Sequence, residues 1–370
     1  MVTEPIVDGL IPRRLERPAS AEELAEVLRS ADEAGEAVIP VGGGRALDLG
    51  DSPERLDLVV ETRGLCRVIE ISQADLTASV EAGVTLEELD AELARVGQFV
   101  PLDPFNSPGH TVGGVLAAGL SGPLRLRYGP ARDFVIGLRV ALPEGRLVSS
   151  GGRVVKNVSG YDLNKLHLGA LGTCGVIVAA SFKLFPRPAH ETTLEVHPED
   201  PWGEAARALA LPMPPIALEL FGDGRLLARL AGTREGVTRM ARELGWPEAD
   251  PAIWTQHTTV GGDAVAWARI SVPPVHLREV LERLPRGARW WASPGVGVAH
   301  WTGDLDPEAV TRARAAAEGV GGSLVLMRAP AALKRGVGAW GTPPPTLEWM
   351  RRLRDAFDPR RTLSPGRYVV

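Results

Sequence analysis

Cysteine is almost absent from the 370-residue chain, which contains only Cys66 and Cys174. Two isolated cysteines exclude a disulfide framework, and they exclude an iron–sulfur cluster or a cysteine-rich zinc site made by this chain alone. This usage predicts a protein of the reducing cytoplasm. The first residues lack the basic and apolar regions of a signal peptide, and no run approaches the ~20 apolar residues of a membrane span. The sequence therefore predicts a soluble chain.

An excess of positive charge is also missing. The formal net charge is −5, and the 41 basic residues are scattered along the chain, which makes nucleic acid an unexpected partner. Only four of them are lysines, and none follows a glycine, so the Gly-Lys of an ATP-binding P-loop is absent. His190-Glu191 does not continue into a zinc-protease motif, and no Gly-x-Ser-x-Gly occurs. We expect no metal site.

The most informative feature that is present is a glycine run at the end of a short apolar strand. Gly42, Gly43 and Gly44 follow residues 37–41, and three residues without a Cβ allow main-chain N–H groups to converge on an anion. A phosphate cradle and a tight turn both fit this pattern, and the turn is the commoner use of glycine. The dinucleotide pattern Gly-x-Gly-x-x-Gly fails, because Leu47 stands at its sixth position.

Local signals divide the chain into four parts. A capping box at Ser20 and Glu23 predicts a helix over 21–34, which leads to strands at 38–41 and 56–60. Residues 66–187 contain several strands and a helix that begins with the capping box Thr85 to Glu88. We therefore expect a first domain over 1–187 with lobes of about 1–65 and 66–187, a second domain over 188–340, and a C-terminal segment over 341–370.

The second domain repeats short strands and helices between residues 190 and 329. Split β-α-β units of this kind form an antiparallel sheet with helices on one face. The expected fold class is α+β.

Four segments before residue 190 consist of small residues, as a large flat ligand requires for close approach of the backbone. They are residues 42–45, 101–104, 111–122 and 172–177. Together they resemble the flavin-binding domain of the vanillyl-alcohol oxidase and p-cresol methylhydroxylase (PCMH-type) flavoprotein superfamily, over residues 18–187 and the C-terminal tail. The resemblance implies a two-lobed FAD-binding domain with an α+β antiparallel-sheet cap.

The resemblance also implies an FAD site built by the four segments. In the family the first glycine loop holds the pyrophosphate, the Thr-x-Gly-Gly segment passes beside the flavin, and the late Gly-Thr-x-Gly turn holds the other end of the cofactor. Arg45 stands where some members carry a flavin-linked histidine, so non-covalent FAD is expected. The implied cofactor-binding residues are Val41, Gly42, Gly43, Gly44, Arg45, Ala46, Asp103, Pro104, Thr111, Gly113, Gly114, Ala118, Ser121, Gly172, Thr173, Gly175, Val176 and Ile177.

Three further segments look similar to bacterial glycolate oxidase and D-lactate dehydrogenase flavoproteins: residues 126–133, 156–166 and 357–367. The segment from Lys156 is the most specific of them, and its alternative interpretation is the start of an amphipathic helix. The cap lacks the His-x-Gly-Asp-Gly-Asn-x-His box of the larger, D-type subunit, and residues 295–300 are the nearest stretch. The resemblance is therefore to the smaller, E-type subunit of glycolate oxidase, which works with a larger flavoprotein and an iron–sulfur protein.

Oxidation of a small 2-hydroxy acid by flavin requires a cation for the carboxylate and a base for the hydroxyl proton. Arg127, Arg328 and Arg367 are candidate cations, although each is also interpretable as a surface charge. His300 is the candidate catalytic residue, because it shares one face of a cap strand with Val298. A structural histidine is the alternative.

Three other residues lie near the expected cofactor and allow two interpretations each. His110 either contacts FAD or fills a loop, Tyr128 either approaches the flavin ring or belongs to the core, and Cys174 is either a packed small residue or a redox thiol.

Three functions remain open from the sequence. The first is an FAD-binding subunit of a glycolate oxidase complex, cytoplasmic or held at the inner membrane through its partner subunits. The second is a stand-alone FAD-dependent dehydrogenase for D-lactate or another alcohol. The third is a non-catalytic flavin-bearing scaffold subunit.

Overall fold

The structure is a computed structural model, and it describes residues 6–105, 108–152, 162–259 and 264–370. The segment from Lys156 that carries the most specific family likeness lies mostly outside the described residues.

The strands are β1 (Arg14–Glu16), β2 (Val38–Val41), β3 (Leu58–Glu61), β4 (Val68–Ser72), β5 (Thr77–Glu81), β6 (Gln98–Phe99), β7 (Val135–Ala141), β8 (Leu147–Gly151), β9 (Val176–Lys183), β10 (Phe185–Pro186), β11 (His190–Val196), β12 (Ala217–Phe221), β13 (Leu226–Gly232), β14 (Ala266–Ser271), β15 (Arg289–Ser293), β16 (Val298–Gly303) and β17 (Ser323–Arg328). The helices are α1 (Ala21–Ala34), α2 (Leu86–Ala94), α3 (Val112–Ala118), α4 (Arg125–Tyr128), α5 (Asn164–His167), α6 (Pro201–Leu209), α7 (Arg234–Leu244), α8 (Ala252–Thr259), α9 (Leu277–Leu281), α10 (Pro307–Gly319), α11 (Ala331–Val337) and α12 (Leu347–Phe357).

The first lobe is a three-stranded parallel sheet in the order β1, β3, β2, covered by α1. The predicted helix over 21–34 is confirmed. The Ser20 hydroxyl accepts the Glu23 N–H at 3.1 Å, and Gly35 ends the helix with a φ of 68°. The apolar face of α1 then packs on β2 and β3. Strand β2 is thereby held in place, and the glycine run leaves the sheet at its carboxyl end.

The second lobe is a five-stranded antiparallel sheet in the order β4, β5, β9, β7, β8. Helix α2 begins at Thr85 with both bonds of the predicted capping box. The small-residue segment forms α3, whose first turn is capped by the Thr111 side chain. Because Thr111 also forms a bridge to Thr85, the start of α3 lies beside the start of α2.

The second domain contains a seven-stranded antiparallel sheet in the order β11, β13, β12, β15, β16, β14, β17. Helices α9 and α10 pack on one half of its outer face, and α6 and α7 pack on the other half. The opposite face lies against the first two lobes, where Phe105 contacts the cap side chains Trp267 and Trp291. The predicted α+β class and antiparallel cap sheet are confirmed. None of the helices in the described ranges combines the length and apolar character that a bilayer crossing requires.

The chain returns to the first lobe after α12. The buried Asp358 carboxylate accepts the N–H groups of Thr362 and Leu363 at 2.9 Å each, which fixes the turn. Val38 on β2 then exchanges main-chain hydrogen bonds of 2.8 Å with Thr362 and Ser364. The tail therefore runs beside β2, the strand that leads into the glycine run.

Candidate functional site

A cleft of about 690 Å³ opens where the glycine run, the first turn of α3 and the turn before β9 meet. It lies at the carboxyl end of β2, next to the returning tail. Its lining residues are Pro40, Val41, Gly42, Gly43, Gly44, Arg45, Ala46, Leu47, Thr62, His110, Thr111, Gly113, Gly114, Ala117, Ala118, Leu171, Gly172, Val176, Ile177 and Arg367.

The glycine run is both a tight turn and a set of free donors. A Cβ on Gly42 would lie 2.0 Å from Thr111 Oγ1, and a Cβ on Gly43 would lie 1.8 Å from the Gly109 carbonyl oxygen. Gly44 has a φ of 72°, which favours glycine. Among the described residues, none of the three N–H groups has a hydrogen-bond acceptor. Unpaired main-chain donors grouped in this way form an anion cradle, so the donor set fits a phosphate.

The first turn of α3 supplies space to the cleft and few donors. The Gly113 N–H already donates to the Ala82 carbonyl at 2.8 Å, and the Gly114 N–H donates to Thr111 Oγ1 at 3.3 Å. A Cβ on Gly113 would lie 2.7 Å from the Cβ of Ala82. The glycines therefore let α3 approach the end of β5. The small side chain of Ala118 leaves space in the cleft.

The turn before β9 forms the third wall through Gly172, Val176 and Ile177. Gly172 has a φ of 73°, and a Cβ there would lie 2.9 Å from Pro40 Cγ. Thr173 and Gly175 lie behind this wall. The buried Thr173 hydroxyl donates to the Ala170 carbonyl at 2.7 Å, and a Cβ on Gly175 would lie 2.5 Å from Val140 Cγ1. Their role is to shape the turn.

Three other residues predicted for the cofactor also lie outside the cleft. Asp103 is partly shielded beneath the turn that joins α3 to α4, and its carboxylate accepts the N–H groups of Gly122 and Leu124 at 3.2 and 2.8 Å. Burial raises the pKa of this carboxyl to about 7. Pro104 continues from Asp103 and does not line the cleft, and Ser121 lines a second cavity.

Arg367 from the tail completes the cleft. Its guanidinium donates to the carbonyls of Leu47 and Leu49 at 2.5 Å each, and burial lowers its pKa to about 10. Its Nε has no partner among the described residues. Arg367 was one of three candidate carboxylate-binding cations, and the structure places it instead as a clamp on the segment after the glycine run. Only its position at the end of a family-like tail signals this from sequence.

His110 also lines the cleft, as the interpretation that it contacts FAD requires. The ring is buried, and its Nε2 lies 3.4 Å from the Phe105 carbonyl oxygen. Burial lowers its pKa to about 4, so His110 is neutral at physiological pH.

The second cavity lies between α4 and the cap sheet. His300 lies here, and its Nδ1 accepts the indole N–H of Trp267 at 3.0 Å. An indole N–H only donates, so the proton of the neutral imidazole is on Nε2. Burial and the nearby Arg269 lower the pKa of His300 well below its usual value. His300 is therefore arranged as a hydrogen-bond donor, which differs from the general base that 2-hydroxy acid oxidation requires.

The remaining candidates lie elsewhere. Arg127 is exposed, and Arg328 joins the cap to the segment after the glycine run through an ion pair of 2.8 Å with Asp48. Tyr128 is half-buried and packs edge-on against Phe185. Burial raises the pKa of the Cys174 thiol, so this residue is a packed thiol.

Comparison with known proteins shows the family to which the chain belongs. Residues 12–151 match the family described as an FAD binding domain. Glycolate oxidase subunit GlcE of Escherichia coli (strain K12) is 30% identical over 318 residues, which cover 81% of this chain and 84% of that protein. Glycolate oxidase subunit GlcD of Bacillus subtilis (strain 168) is 34% identical over 184 residues, which are 50% of this chain and 39% of that protein.

A D-lactate dehydrogenase of Arabidopsis thaliana mitochondria is 36% identical over 49% of this chain and 31% of its own length. The chain thus spans well under half of these two longer relatives. Among solved structures, alkyldihydroxyacetonephosphate synthase superposes with a TM-score of 0.72 over 97% of this chain and 78% of that one, at 17% identity. This likeness concerns the fold, and it confirms the predicted combination of flavin-type lobes and cap.

Proposed function

The chain belongs to the family of FAD-binding proteins that includes the glycolate oxidase subunit GlcE, and on that premise we propose that it is the flavin-carrying subunit of a complex that oxidises glycolate or another small 2-hydroxy acid. FAD is the cofactor of this family of oxidoreductases. One observation carries the proposal: Gly42, Gly43 and Gly44 line the cleft with N–H groups that have no acceptor among the described residues, and the charged residues that line it, Arg45 and Arg367, are both cationic.

The residues of the cleft fit FAD. The three glycine N–H groups would hold the diphosphate, since phosphate oxygens accept several such bonds at once. The small side chains of Ala117 and Ala118 leave room for a flat ring. When bound, FAD supplies the hydride acceptor for oxidation of a hydroxy acid.

We propose that FAD is held without a covalent bond. Among the described residues that line the cleft, His110 is the one side chain able to form a flavin link, and its Nε2 lies 3.4 Å from the Phe105 carbonyl oxygen. Arg45, next to the glycines, cannot form such a link.

Electrons that reach the flavin require an acceptor, and we propose that partner subunits supply it. Within the described ranges, no group of three or more His, Cys, Asp or Glu side chains is placed to hold a metal ion. The two cysteines of the chain are too few for an iron–sulfur cluster. A larger flavoprotein and an iron–sulfur protein are the proposed partners, and the cytoplasm is the proposed location.

A second candidate is a flavin-bearing subunit that does not itself oxidise substrate. The contact between cap and lobes is filled by aromatic rings: the Phe105 ring centroid lies 4.7 Å from that of His300 and 5.1 Å from that of His257. Such packing leaves little room for substrate beside the cleft. A stand-alone D-lactate dehydrogenase is the remaining alternative.

The test compares the purified chain with the chain co-expressed with its two proposed partners. We expect about one FAD per chain, released by acid as free FAD. Stopped-flow reduction of the flavin by glycolate should occur in the complex. Reduction by D-lactate in the isolated chain would favour the stand-alone enzyme, and no reduction of this flavin in either sample would favour the scaffold. A colourless chain that binds no added FAD would contradict the proposal.

A further inference from the structure

Two arginine side chains line the cavity between α4 and the cap sheet. Strand register places Arg269 of β14 directly opposite His300 of β16, so both side chains are on the sheet face that meets the lobes. Arg125 of α4 lines the same cavity from the lobe side. Arg125 and Arg269 are thus 144 positions apart in the sequence and line the same small cavity.

Neither arginine side chain forms an ion pair among the described residues. Arg269 forms no hydrogen bond or ion pair there, and burial lowers its pKa to about 10, with the charge of Arg125 acting in the same direction. Burial also lowers the pKa of Arg125, which the charge of Asp133 offsets only in part. Both side chains are half-buried, and two like charges that line one small cavity are unfavourable unless an anion compensates them. The pair therefore indicates a ligand that brings negative charge.

A buried carboxylate of the same sheet is already engaged. Glu219 accepts the Ser293 hydroxyl, and its other oxygen lies 3.3 Å from His257 Nε2. Neither arginine is bonded to it among the described residues.

The neutral side chains of the cavity also favour an acceptor as ligand. The Trp267 indole N–H occupies Nδ1 of His300, so the imidazole proton is on Nε2. This Nε2–H has no partner among the described residues. Ser121 adds a hydroxyl from the lobe side. Two guanidinium groups, an imidazole N–H and a hydroxyl match the oxygens of a carboxylate.

We propose that this cavity binds a small carboxylate anion, held by Arg125 and Arg269 with a further hydrogen bond from His300. The inference rests on the proposed function and deepens it, because the carboxylate of a 2-hydroxy acid or of its 2-oxo product is the ligand class that fits. The cavity is small, about 290 Å³ between its lining atoms, and Phe105 and Val298 form apolar walls. Acids of two or three carbons are therefore favoured over longer ones.

The test measures anion binding directly, with the full chain in its FAD-free and FAD-loaded forms. Oxalate and glycolate are the probes, and glycolamide is the neutral isostere. Binding is followed by calorimetry and by the fluorescence of the tryptophans, since the Trp291 ring stacks on His300 with centroids 5.1 Å apart. We expect Arg269→Leu and Arg125→Gln to weaken oxalate binding by at least about tenfold, and Arg269→Lys to weaken it less. Arg127→Gln, an exposed arginine on the same helix, is the matched control and should bind as the wild type does.

Thermal denaturation adds a readout that a purely structural arginine would not change. Oxalate should raise the melting temperature of the wild type and of Arg127→Gln, and leave that of Arg269→Leu unchanged. In anion-free buffer, Arg269→Leu should melt no lower than the wild type, because an unpaired charge has been removed.

The outcomes separate this inference from the proposed function. A wild type that binds FAD but no oxalate, or that binds glycolamide as tightly, would overturn the anion site and leave the flavin subunit standing. A chain that binds oxalate but no FAD would overturn the flavin subunit. Loss of FAD binding in Arg269→Leu, with oxalate binding intact, would show that these donors serve the cofactor, and it would overturn the carboxylate assignment.

Discussion

The hydroxyl of Thr111 occupies the space that a side chain on Gly42 would need, because a Cβ there would lie 2.0 Å from Thr111 Oγ1. This contact joins the glycine run of the first lobe to the first turn of α3 in the second lobe. The two lobes thus meet at one edge of the cleft, and the position of the free N–H groups depends on that contact.

Gly42→Ala should therefore disturb both stability and cofactor binding. We expect a loss of about 1–3 kcal/mol in the free energy of unfolding, since the Cβ forces the lobes apart. FAD affinity should fall by at least about tenfold, as measured by equilibrium titration. Gly336→Ala is the control, because a Cβ there meets nothing within 4 Å and the residue lies in α11. In a double-mutant cycle, Thr111→Ala should cancel part of the Gly42→Ala effect, and strictly additive effects would contradict the contact.

Asp103→Asn should change how stability depends on pH. The pKa of Asp103 is raised by burial to about 7, above its value in the unfolded chain, so its contribution is largest at low pH and is lost as pH rises towards 7. Between pH 4 and 7 the wild type should lose up to about 1.4 kcal/mol per pH unit relative to Asp103→Asn. Urea denaturation of both proteins at four pH values measures this, and parallel profiles would rule out the shifted carboxyl.

His300 should remain neutral across the physiological range. Its pKa is lowered in the folded protein, so it stabilises the fold at high pH and this contribution is lost as pH falls. Nitrogen-15 spectra of the imidazole should show the Nε2–H tautomer at pH 6 to 8. Trp267→Phe removes the only donor seen at Nδ1 among the described residues and should produce a mixture of tautomers. An imidazole that titrates near pH 6.5 in the wild type would disprove this arrangement.

Arg367→Gln should loosen the segment after the glycine run. The carbonyls of Leu47 and Leu49 would lose their donor, at a cost of about 1–3 kcal/mol in unfolding free energy. FAD should bind more weakly, because the loop is no longer fixed. Arg360→Gln, an exposed arginine of the same tail, is the control for both measurements. Equal FAD affinity in the two variants would remove Arg367 from the site.

Sequence patterns predict the elements that depend on local chemistry. The capping boxes at Ser20 and Thr85 give α1 and α2 their starts, and alternating apolar residues give the cap strands. The position of the glycine run is also predicted correctly. The positive φ of Gly44 and the close contacts at Gly42 and Gly43 require glycine there whatever the ligand. Helix α8 was missed, since its apolar residues follow no clear helical period.

The chemistry between distant elements is not visible in the sequence. Arg125 and Arg269 meet only because β14 and β16 pair in one particular register and α4 lies opposite them. The donors of Gly113 and Gly114 look free in the sequence, yet the fold pairs both within the protein. Side-chain partners of this kind follow from tertiary packing, which no local pattern encodes.

The central claim is that the glycine run holds the diphosphate of FAD, and calorimetric titration of the FAD-free chain with FAD and with riboflavin tests it most directly. Riboflavin has the ring and lacks both phosphates. The structure predicts that FAD binds at least about a hundredfold more tightly than riboflavin, since two or more charge-assisted hydrogen bonds depend on the phosphates. Equal affinity for the two ligands, or no affinity for FAD, would contradict the cradle.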